Sequence, residues 1–338
     1  PNPKERISFI STSRLVHSIG GALPMVIAPV FVGALGNKTG YTAAGISIAV
    51  FGGALFILSF FGTEERSKSK DKAPTLRECL GYLRINQPLR CVVGASVIGF
   101  MRAIPIVAGM YIATYVLGEQ TLNFFGKSIA LNGAALNTVL IAGWGVSGYI
   151  GMILTPKICS KLNYRQIYYV SSVIGAAACL WLFFAEKNLV NIFISMLVVG
   201  LPYGVICNIN YSMIADSVDY VEWKTGKRTE GVTVSFQTLM NKTMTALQSG
   251  AVSLVLIFVN FIQPVEVAGQ LVPQPQNQST ITGFVLLITL LPALGWIIGV
   301  IPMKYYTFIG DERIKAHKEL MKHRQEVQAF ELIDQESK

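Results

Sequence analysis

Long apolar runs dominate the chain, and short polar segments separate them. Eight runs occur, at about residues 15–36, 41–62, 91–117, 129–155, 166–185, 188–214, 231–262 and 281–303. Each is close to the roughly 20 predominantly apolar residues that a helix needs to cross the core of a bilayer. The pattern therefore predicts an all-α fold, a polytopic membrane helix bundle to which this chain contributes eight transmembrane helices.

Composition supports a membrane protein over a soluble one. The 338 residues are 52% hydrophobic and 14% charged, whereas a soluble domain carries about 25% charged residues. The net charge is +9. In a membrane protein a basic excess is typical of cytoplasmic loops, so it does not indicate a nucleic-acid partner.

The basic residues alternate between the two sides of the predicted helices. The segments on one side, which include both ends of the chain, hold 23 of the 28 Lys and Arg residues. The opposite loops hold only Lys38, Lys127 and Lys187. Basic loops remain on the cytoplasmic side of a membrane. Both termini of this chain are therefore predicted to be cytoplasmic.

Two of these cytoplasmic segments are long. The connection at residues 64–90 contains Thr75 and Glu78 at the spacing of a capping box, which predicts a short helix along the membrane surface. The tail at residues 305–338 is charged. It is expected to be solvated, although part of it has a helical pattern.

One glycine motif suggests chemistry that its surroundings do not support. The stretch GWGVSG, from Gly143 to Gly148, satisfies G-x-G-x-x-G. A dinucleotide site requires a preceding strand and an acidic residue about 20 positions later. Here the motif lies inside an apolar run, which favours close helix packing through small residues. The sequence shows no nucleophile–base–acid set, metal cluster or ATP-binding loop, so we expect no cofactor and no enzymatic activity.

Two basic residues lie deep within predicted helices. Arg102 and Lys242 are each the twelfth residue of their run. A charge at the bilayer centre costs about 2.5–3.5 kcal/mol on insertion scales, so it requires a partner or a wet cavity. No Asp or Glu occurs within any of the eight runs. This predicts either a substrate cavity or acidic partners supplied from outside the runs, the alternative being a structural ion pair.

Polar residues surround Lys242 along the same helix. Gln237 and Asn241 are four residues apart, as are Thr238 and Lys242, so the pairs form adjoining stripes. Near the start of the first run, Arg14 is either an interfacial anchor or a ligand. All of these residues, with Arg102, are candidates for substrate binding.

The charged stretch between the sixth and seventh runs carries a recognisable signature. It reads ADSVDYVEWKTGKRTEG, from Ala215 to Gly231, and SFQT and Lys242 follow it. The pattern AD-x-VDY-x-EWKTG-x-R-x-EG resembles the signature of the glycoside–pentoside–hexuronide:cation symporters, which include the melibiose permeases. The resemblance covers the whole chain. It implies the major facilitator fold, in which twelve helices form two six-helix halves.

The resemblance implies how the chain is organised. Its eight runs correspond to family helices five to twelve, so it looks like a protein lacking the first four helices. Residues 1–63 would hold the last two helices of the N-terminal half, and residues 64–90 the central cytoplasmic loop. Residues 91–304 would then form the C-terminal half, with a cytoplasmic tail after them.

The resemblance also implies roles for individual residues. Lys242 matches the family's central lysine, Gln237 and Thr238 match positions beside the sugar, and Arg14 matches an arginine implicated in sugar binding. Arg102 belongs to no family motif. A cytoplasmic charge network that holds the two halves together is matched by Arg6, Asp216, Asp219 and Arg228. We expect the two aspartates to end a helix, where its dipole disfavours carboxylates, and to pair with the two arginines.

These expectations combine into one function. The resemblance implies cation-coupled symport, with H+ or Na+, of a sugar or sugar derivative by alternating access in a bacterial inner membrane. The two central cations favour an anionic sugar. The alternatives are a neutral-glycoside symporter and an eight-helix membrane protein without transport function. Membrane lipid and a sugar-like solute are the expected partners, and the protein is expected to be a monomer.

Overall fold

Helices account for most of the described chain. The computed structural model describes residues 3–35, 37–62, 75–124, 127–267, 270–310 and 312–322. The α-helices are α1 (Pro3–Leu35), α2 (Asn37–Gly62), α3 (Leu76–Ile85), α4 (Gln87–Ile98), α5 (Ile104–Tyr111), α6 (Gly133–Cys159), α7 (Tyr164–Phe184), α8 (Leu189–Thr225), α9 (Glu230–Phe258), α10 (Gln278–Ile288), α11 (Leu290–Ile298) and α12 (residues 312–322). The short helix predicted within residues 64–90 is present as α3, and its position along the membrane surface stays a prediction.

Each of the eight apolar runs contains helix, which confirms the all-α membrane bundle. Among the described residues, six helical stretches are long and apolar enough to cross a membrane. The runs at 15–36 and 231–262 are not among these six. The first lies in α1, and most of the second lies in α9, whose polar residues make it less apolar. The chain forms two compact units, one of Pro1–Ser11 with Leu76–Lys338 and the other of Thr12–Thr75.

The smaller unit consists of α2 and most of α1. The membrane-spanning part of α2, Thr39–Gly62, has a mean hydropathy of 2.2 but is almost wholly exposed within its unit. Phe56, Phe60 and Phe61 are all more than 70% exposed. A face this apolar is suited to lipid or to neighbouring helices, because water would solvate it poorly.

Two of the predicted helices are interrupted. The run at 91–117 comprises α4, a 3₁₀ turn at Phe100–Ala103, α5 and a π turn at Ile112–Leu117. The run at 281–303 is divided into α10, α11 and a 3₁₀ turn at Ile301–Tyr305. Proline follows both breaks closely, at Pro105 and Pro292. Proline removes a backbone donor and disfavours a continuous helix.

The structure also contains short elements that the apolar pattern did not predict. Two antiparallel hairpins connect helices, pairing β1 (Gln120–Phe124) with β2 (Lys127–Leu131) and β3 (Val265–Val267) with β4 (Gln270–Val272). The first hairpin includes the start of the run at 129–155, so α6 begins only at Gly133. Both hairpins lie in loops predicted to be extracellular.

The predicted loop between the sixth and seventh runs is mostly helix. The helix α8 continues to Thr225, past the end predicted at residue 214, and Gly226 ends it with φ 69°. Asp216 and Asp219 therefore lie inside α8. The dipole argument for them is wrong, because the dipole acts mainly within the last turn of a helix.

The expectation of a solvated tail is also wrong for its first part. In α12, Ala316 and Leu320 are 1% and 6% exposed, and Phe308 just before it is 2% exposed. Trp223 near the end of α8 donates a hydrogen bond from Nε1 to the Glu319 carboxylate. The tail helix thus covers an apolar surface at the end of the bundle predicted to be cytoplasmic.

Close packing of α6 against α8 explains the glycine motif. Gly148 of the GWGVSG stretch faces α8, and a Cβ atom at Gly204 would overlap the Gly148 carbonyl oxygen. A Cβ atom at Gly200 would likewise meet the Trp144 carbonyl oxygen and Ser147. The two backbones approach closely because small residues face each other, as the sequence predicted.

We expect Gly204→Ala to destabilise the bundle by about 1–3 kcal/mol, because backbone atoms of α6 leave no room for a methyl group. Thermal unfolding of the purified protein measures this change. Gly145→Ala is the matched control, since a Cβ atom there meets nothing within 4 Å. Equal losses of stability in the two variants would contradict the packing.

Candidate functional site

The clearest candidate for a binding face is a polar stripe on α9. It consists of Ser235, Thr238, Lys242, Thr245 and Ser249, which recur every three or four residues and are all exposed. This spacing aligns side chains along one face of a helix. The buried positions of α9 are Val232, Thr233, Met240, Gln248 and Val252. The stripe therefore points away from the core of the larger unit.

Lys242 lies at the middle of this stripe. Its ammonium group makes no ion pair with another described residue. Thr238 precedes it by one turn and uses its hydroxyl to donate to the Val234 carbonyl oxygen at 3.1 Å. Asn241 is exposed on the flank of the stripe, and Gln237 is half-buried beside it. The structure thus places these four predicted residues on adjoining faces of a single helix.

The side chains of Arg14 and Arg6 lie outside what the structure describes. Both residues belong to α1 by their backbone. Their predicted roles, in sugar binding and in the cytoplasmic network, remain predictions.

Arg102 lies apart from this stripe, inside the core of the larger unit. It is 3% exposed. Its Nε donates to the Gly99 carbonyl oxygen at 2.9 Å, and its Nη2 donates to the Ala95 carbonyl oxygen at 2.6 Å. These carbonyl groups are at the end of α4, where the helical ladder stops. Both carbonyl groups also accept backbone N–H groups, Ala95 from Gly99 and Gly99 from Arg102 itself. The guanidinium group therefore adds a second hydrogen bond to each of them at the end of α4.

Aromatic rings and a close backbone lie beside the guanidinium group of Arg102, whose Nη1 has no acceptor among the described residues. Its guanidinium carbon is 5.5 Å from the ring centre of Trp296 and 6.0 Å from that of Tyr168. A Cβ atom at Gly99 would overlap the guanidinium group. Among the described residues, the partners of Arg102 are therefore carbonyl oxygens and rings rather than carboxylates. The geometry favours a structural role over contact with a substrate.

Buried amide side chains also stabilise the helix contacts. Gln248 of α9 donates to the Phe100 carbonyl oxygen at 3.1 Å, so it satisfies a group at the same interruption as Arg102. Asn208 donates to Ser11 Oγ at 2.8 Å, and Asn210 donates to Ser96 Oγ at 3.2 Å. The sequence pattern did not single out Gln248. The available signal was a glutamine on the apolar side of α9.

Part of the predicted cytoplasmic charge network is present. Arg228 Nη1 is 3.7 Å from Asp219 and 3.0 Å from Glu222, while its Nε is 3.2 Å from Glu230. The side chain of Arg228 is 43% exposed. Exposed pairs contribute about 0–1 kcal/mol each, so this cluster is held weakly.

Asp216 pairs with a residue that the sequence analysis missed. Its carboxylate lies 2.8 Å from Arg313 Nε of the tail helix, whereas Arg6 and Arg228 were the predicted partners. The guanidinium carbon of Arg313 is also 5.0 Å from the ring centre of Tyr164. Burial acts to lower the pKa of Arg313, but Asp216 acts to raise it, and the net pKa is raised. The arginine therefore stays charged and holds α12 to α8.

We expect Asp216→Asn to lower the free energy of unfolding by about 3–5 kcal/mol, because it leaves a largely buried arginine without its counter-charge. Glu230→Gln is the matched control and should lower it by about 1 kcal/mol or less, since the side chains of Glu230 and Arg228 are both exposed. Thermal unfolding measures both. Similar losses in the two variants would contradict the assignment of Asp216 to Arg313.

Comparison with known proteins shows which family the chain resembles. The sequence profile of the MFS/sugar transport protein family matches residues 1–308. The inner membrane symporter YicJ of Escherichia coli is 24% identical over 93% of this chain and 65% of its own length. The isoprimeverose transporter of Lactiplantibacillus pentosus is 24% identical over 71% of this chain and 49% of its own length.

A third relative carries a name for an acidic sugar derivative. The glucuronide carrier protein homolog of E. coli is 23% identical over 80% of this chain. It is matched over 54% of its own length. The chain thus spans between about half and two thirds of the length of these curated relatives.

Proposed function

This chain belongs to the MFS/sugar transport protein family, and on that premise we propose that it carries a sugar or sugar derivative across the bacterial inner membrane together with a cation. Transport in this scheme uses alternating access, in which a central site opens to one side and then to the other. The protein would be a secondary transporter rather than an enzyme. Both of its termini in this chain would be cytoplasmic, as the distribution of Lys and Arg predicts.

The observation that carries this proposal is the exposed polar stripe of α9. Hydroxyl groups and an ammonium group on a membrane helix are expensive unless they face a cavity or a polar partner. Lys242, Thr238 and Asn241 together offer donors and acceptors that match the hydroxyl groups of a sugar. We assign these three residues, with Gln237 beside them, to the wall of the transport path.

The coupling cation requires oxygen ligands or a proton acceptor. No Asp or Glu occurs within the eight apolar runs, so a carboxylate for H+ or Na+ would come from outside them. Lys242 would lie near this carboxylate when the site is empty. A cation and a lysine that share one carboxylate influence each other's binding, and such coupling is typically about 1–3 kcal/mol.

An anionic sugar remains the favoured substrate class, with Lys242 as its counter-charge. The named relatives include both a glucuronide carrier homolog and an isoprimeverose transporter. Arg102 no longer supports an anionic substrate, because carbonyl oxygens and aromatic rings surround it. The alternative is a neutral glycoside, for which Lys242 would serve the coupling carboxylate alone.

The salt bridges at the predicted cytoplasmic end suit a weak gate beside a fixed support. The exposed Arg228 cluster is weak enough to break and re-form during each cycle. The pair of Asp216 with Arg313 is more buried and would keep α12 on α8 throughout. We expect Asp216→Asn to lower the transport rate more than substrate affinity, which a fit of initial uptake rates against solute concentration separates.

Uptake into proteoliposomes tests the proposed function. The panel contains a neutral disaccharide, a glucuronide and a sulfonated sugar, each measured under an imposed H+ gradient, an imposed Na+ gradient and neither. We expect at least one solute to accumulate only when one gradient is present. Equal accumulation with and without the gradients would contradict symport. If none of the sugars accumulates under any condition, the substrate class is contradicted.

A further inference from the structure

A cleft lined by both apolar and basic side chains lies at the predicted cytoplasmic end of the larger unit, away from the stripe on α9. It has a volume of about 380 Å³ and lies between the turn that joins α6 to α7 and the segment that leads into α12. Volumes of roughly 300–1,000 Å³ are typical of small-molecule sites. The proposed transport path does not use this cleft.

Basic side chains line the cleft. Lys161 lies on the turn, and Arg313 lies on the tail helix. None of the described lining residues is acidic. Asp216 pairs with Arg313 through Nε at 2.8 Å. A guanidinium group has five N–H donors, so this pair leaves several of them available.

Two buried donors at this cleft have no acceptor among the described residues. They are the hydroxyl of Tyr164, a residue that is 4% exposed, and Nη2 of Arg313. Other polar groups of the turn are occupied, since Asn163 and Gln166 cap α7 reciprocally. Buried donors usually have a partner, so two donors without one at a basic cleft would suit a bound acceptor.

We propose that this cleft binds a phosphate group, carried by an anionic lipid headgroup or by free phosphate. The Lys161 ammonium group and the Arg313 guanidinium group would neutralise its charge, and the Tyr164 hydroxyl would donate a further hydrogen bond. Basic pockets at the cytoplasmic ends of membrane helices bind lipid phosphates in this way. The bound phosphate would join the tail helix to the turn between α6 and α7.

The test uses the purified protein in detergent, with two probes for the two sources. Native mass spectrometry measures retention of phosphatidylglycerol against phosphatidylcholine. Thermal unfolding in sodium phosphate, against sodium chloride of equal ionic strength, measures free phosphate. We expect Lys161→Gln to weaken binding of the responsive probe by about tenfold and Tyr164→Phe by about threefold, as expected for lost hydrogen bonds to a charged group.

Lys227→Gln is the control, because it removes the same charge from an exposed residue outside the cleft. The affinity of this variant for the responsive probe should stay within about twofold of that of the unsubstituted protein, since an exposed charge outside the cleft is largely screened. Elution volume and the unfolding midpoint without either probe identify a variant that is misfolded. Selective retention of phosphatidylglycerol identifies the lipid headgroup as the source of the phosphate. A higher unfolding midpoint in sodium phosphate, without retention of the lipid, identifies free phosphate. The proposal is overturned if neither probe binds, or if Lys227→Gln has the same effect as Lys161→Gln.

Discussion

Replacement of Lys242 by methionine should abolish accumulation of the solute while the protein remains folded. Lys242 is exposed on α9 and makes no ion pair with another described residue, so replacing it should not destabilise the larger unit. Hydrogen bonds to a charged group contribute about 1.5–3 kcal/mol, which corresponds to a loss of roughly tenfold to a hundredfold in solute affinity. Binding of the solute to the purified protein and uptake into proteoliposomes measure the two effects.

Lys227→Met is the matched control for this variant. It makes the same substitution at an exposed lysine after the end of α8, away from the stripe. Uptake by this control should be unchanged, and both variants should unfold at the temperature of the unsubstituted protein. Full uptake by Lys242→Met would show that the stripe on α9 does not line the transport path.

Arg102→Ala should have the opposite profile, with a large loss of stability and no change in selectivity. It removes two side-chain hydrogen bonds, to the Ala95 and Gly99 carbonyl oxygens, and a hydrogen bond from a charged donor is worth about 1.5–3 kcal/mol. Both oxygens keep their backbone donors. The alanine side chain also leaves space between Trp296 and Tyr168. We expect the free energy of unfolding to fall by about 3 kcal/mol or more.

Two comparisons separate this structural role from a substrate role. Gly99→Ala should reproduce the loss of stability, because its methyl group would occupy the space of the guanidinium group. Uptake by Arg102→Ala, corrected for the amount of folded protein, should fall equally for an anionic and a neutral solute. A selective loss of the anionic solute would restore Arg102 as a ligand.

Local pattern predicted the helices well, because each spanning helix is a continuous stretch of apolar residues. The runs placed α6, α7 and α8 within a few residues of their observed starts. The resemblance and the spacing of four together placed Thr238 and Lys242 on one face of α9. These features depend on residues close together in sequence, where helical geometry fixes which side chains are neighbours.

Contacts between distant segments were not predictable in the same way. Asp216 and Arg313 are separated by nearly 100 positions, and only the packing of α12 on α8 brings them together. The partners of Arg102 were missed because backbone carbonyl groups are not visible in a residue pattern. The end of α8 was placed too early because the charged residues that follow residue 214 resemble a loop by composition, although they continue the helix to Thr225.

The central claim is that a sugar and a cation move together through a path lined by α9. Its most direct test is the cation flux that a solute gradient drives into proteoliposomes with no imposed ion gradient, recorded with H+ and Na+ separately. The account predicts that one solute drives inward flux of one of the two cations, and that Lys242→Met abolishes this flux. Solute entry without movement of either cation would contradict it.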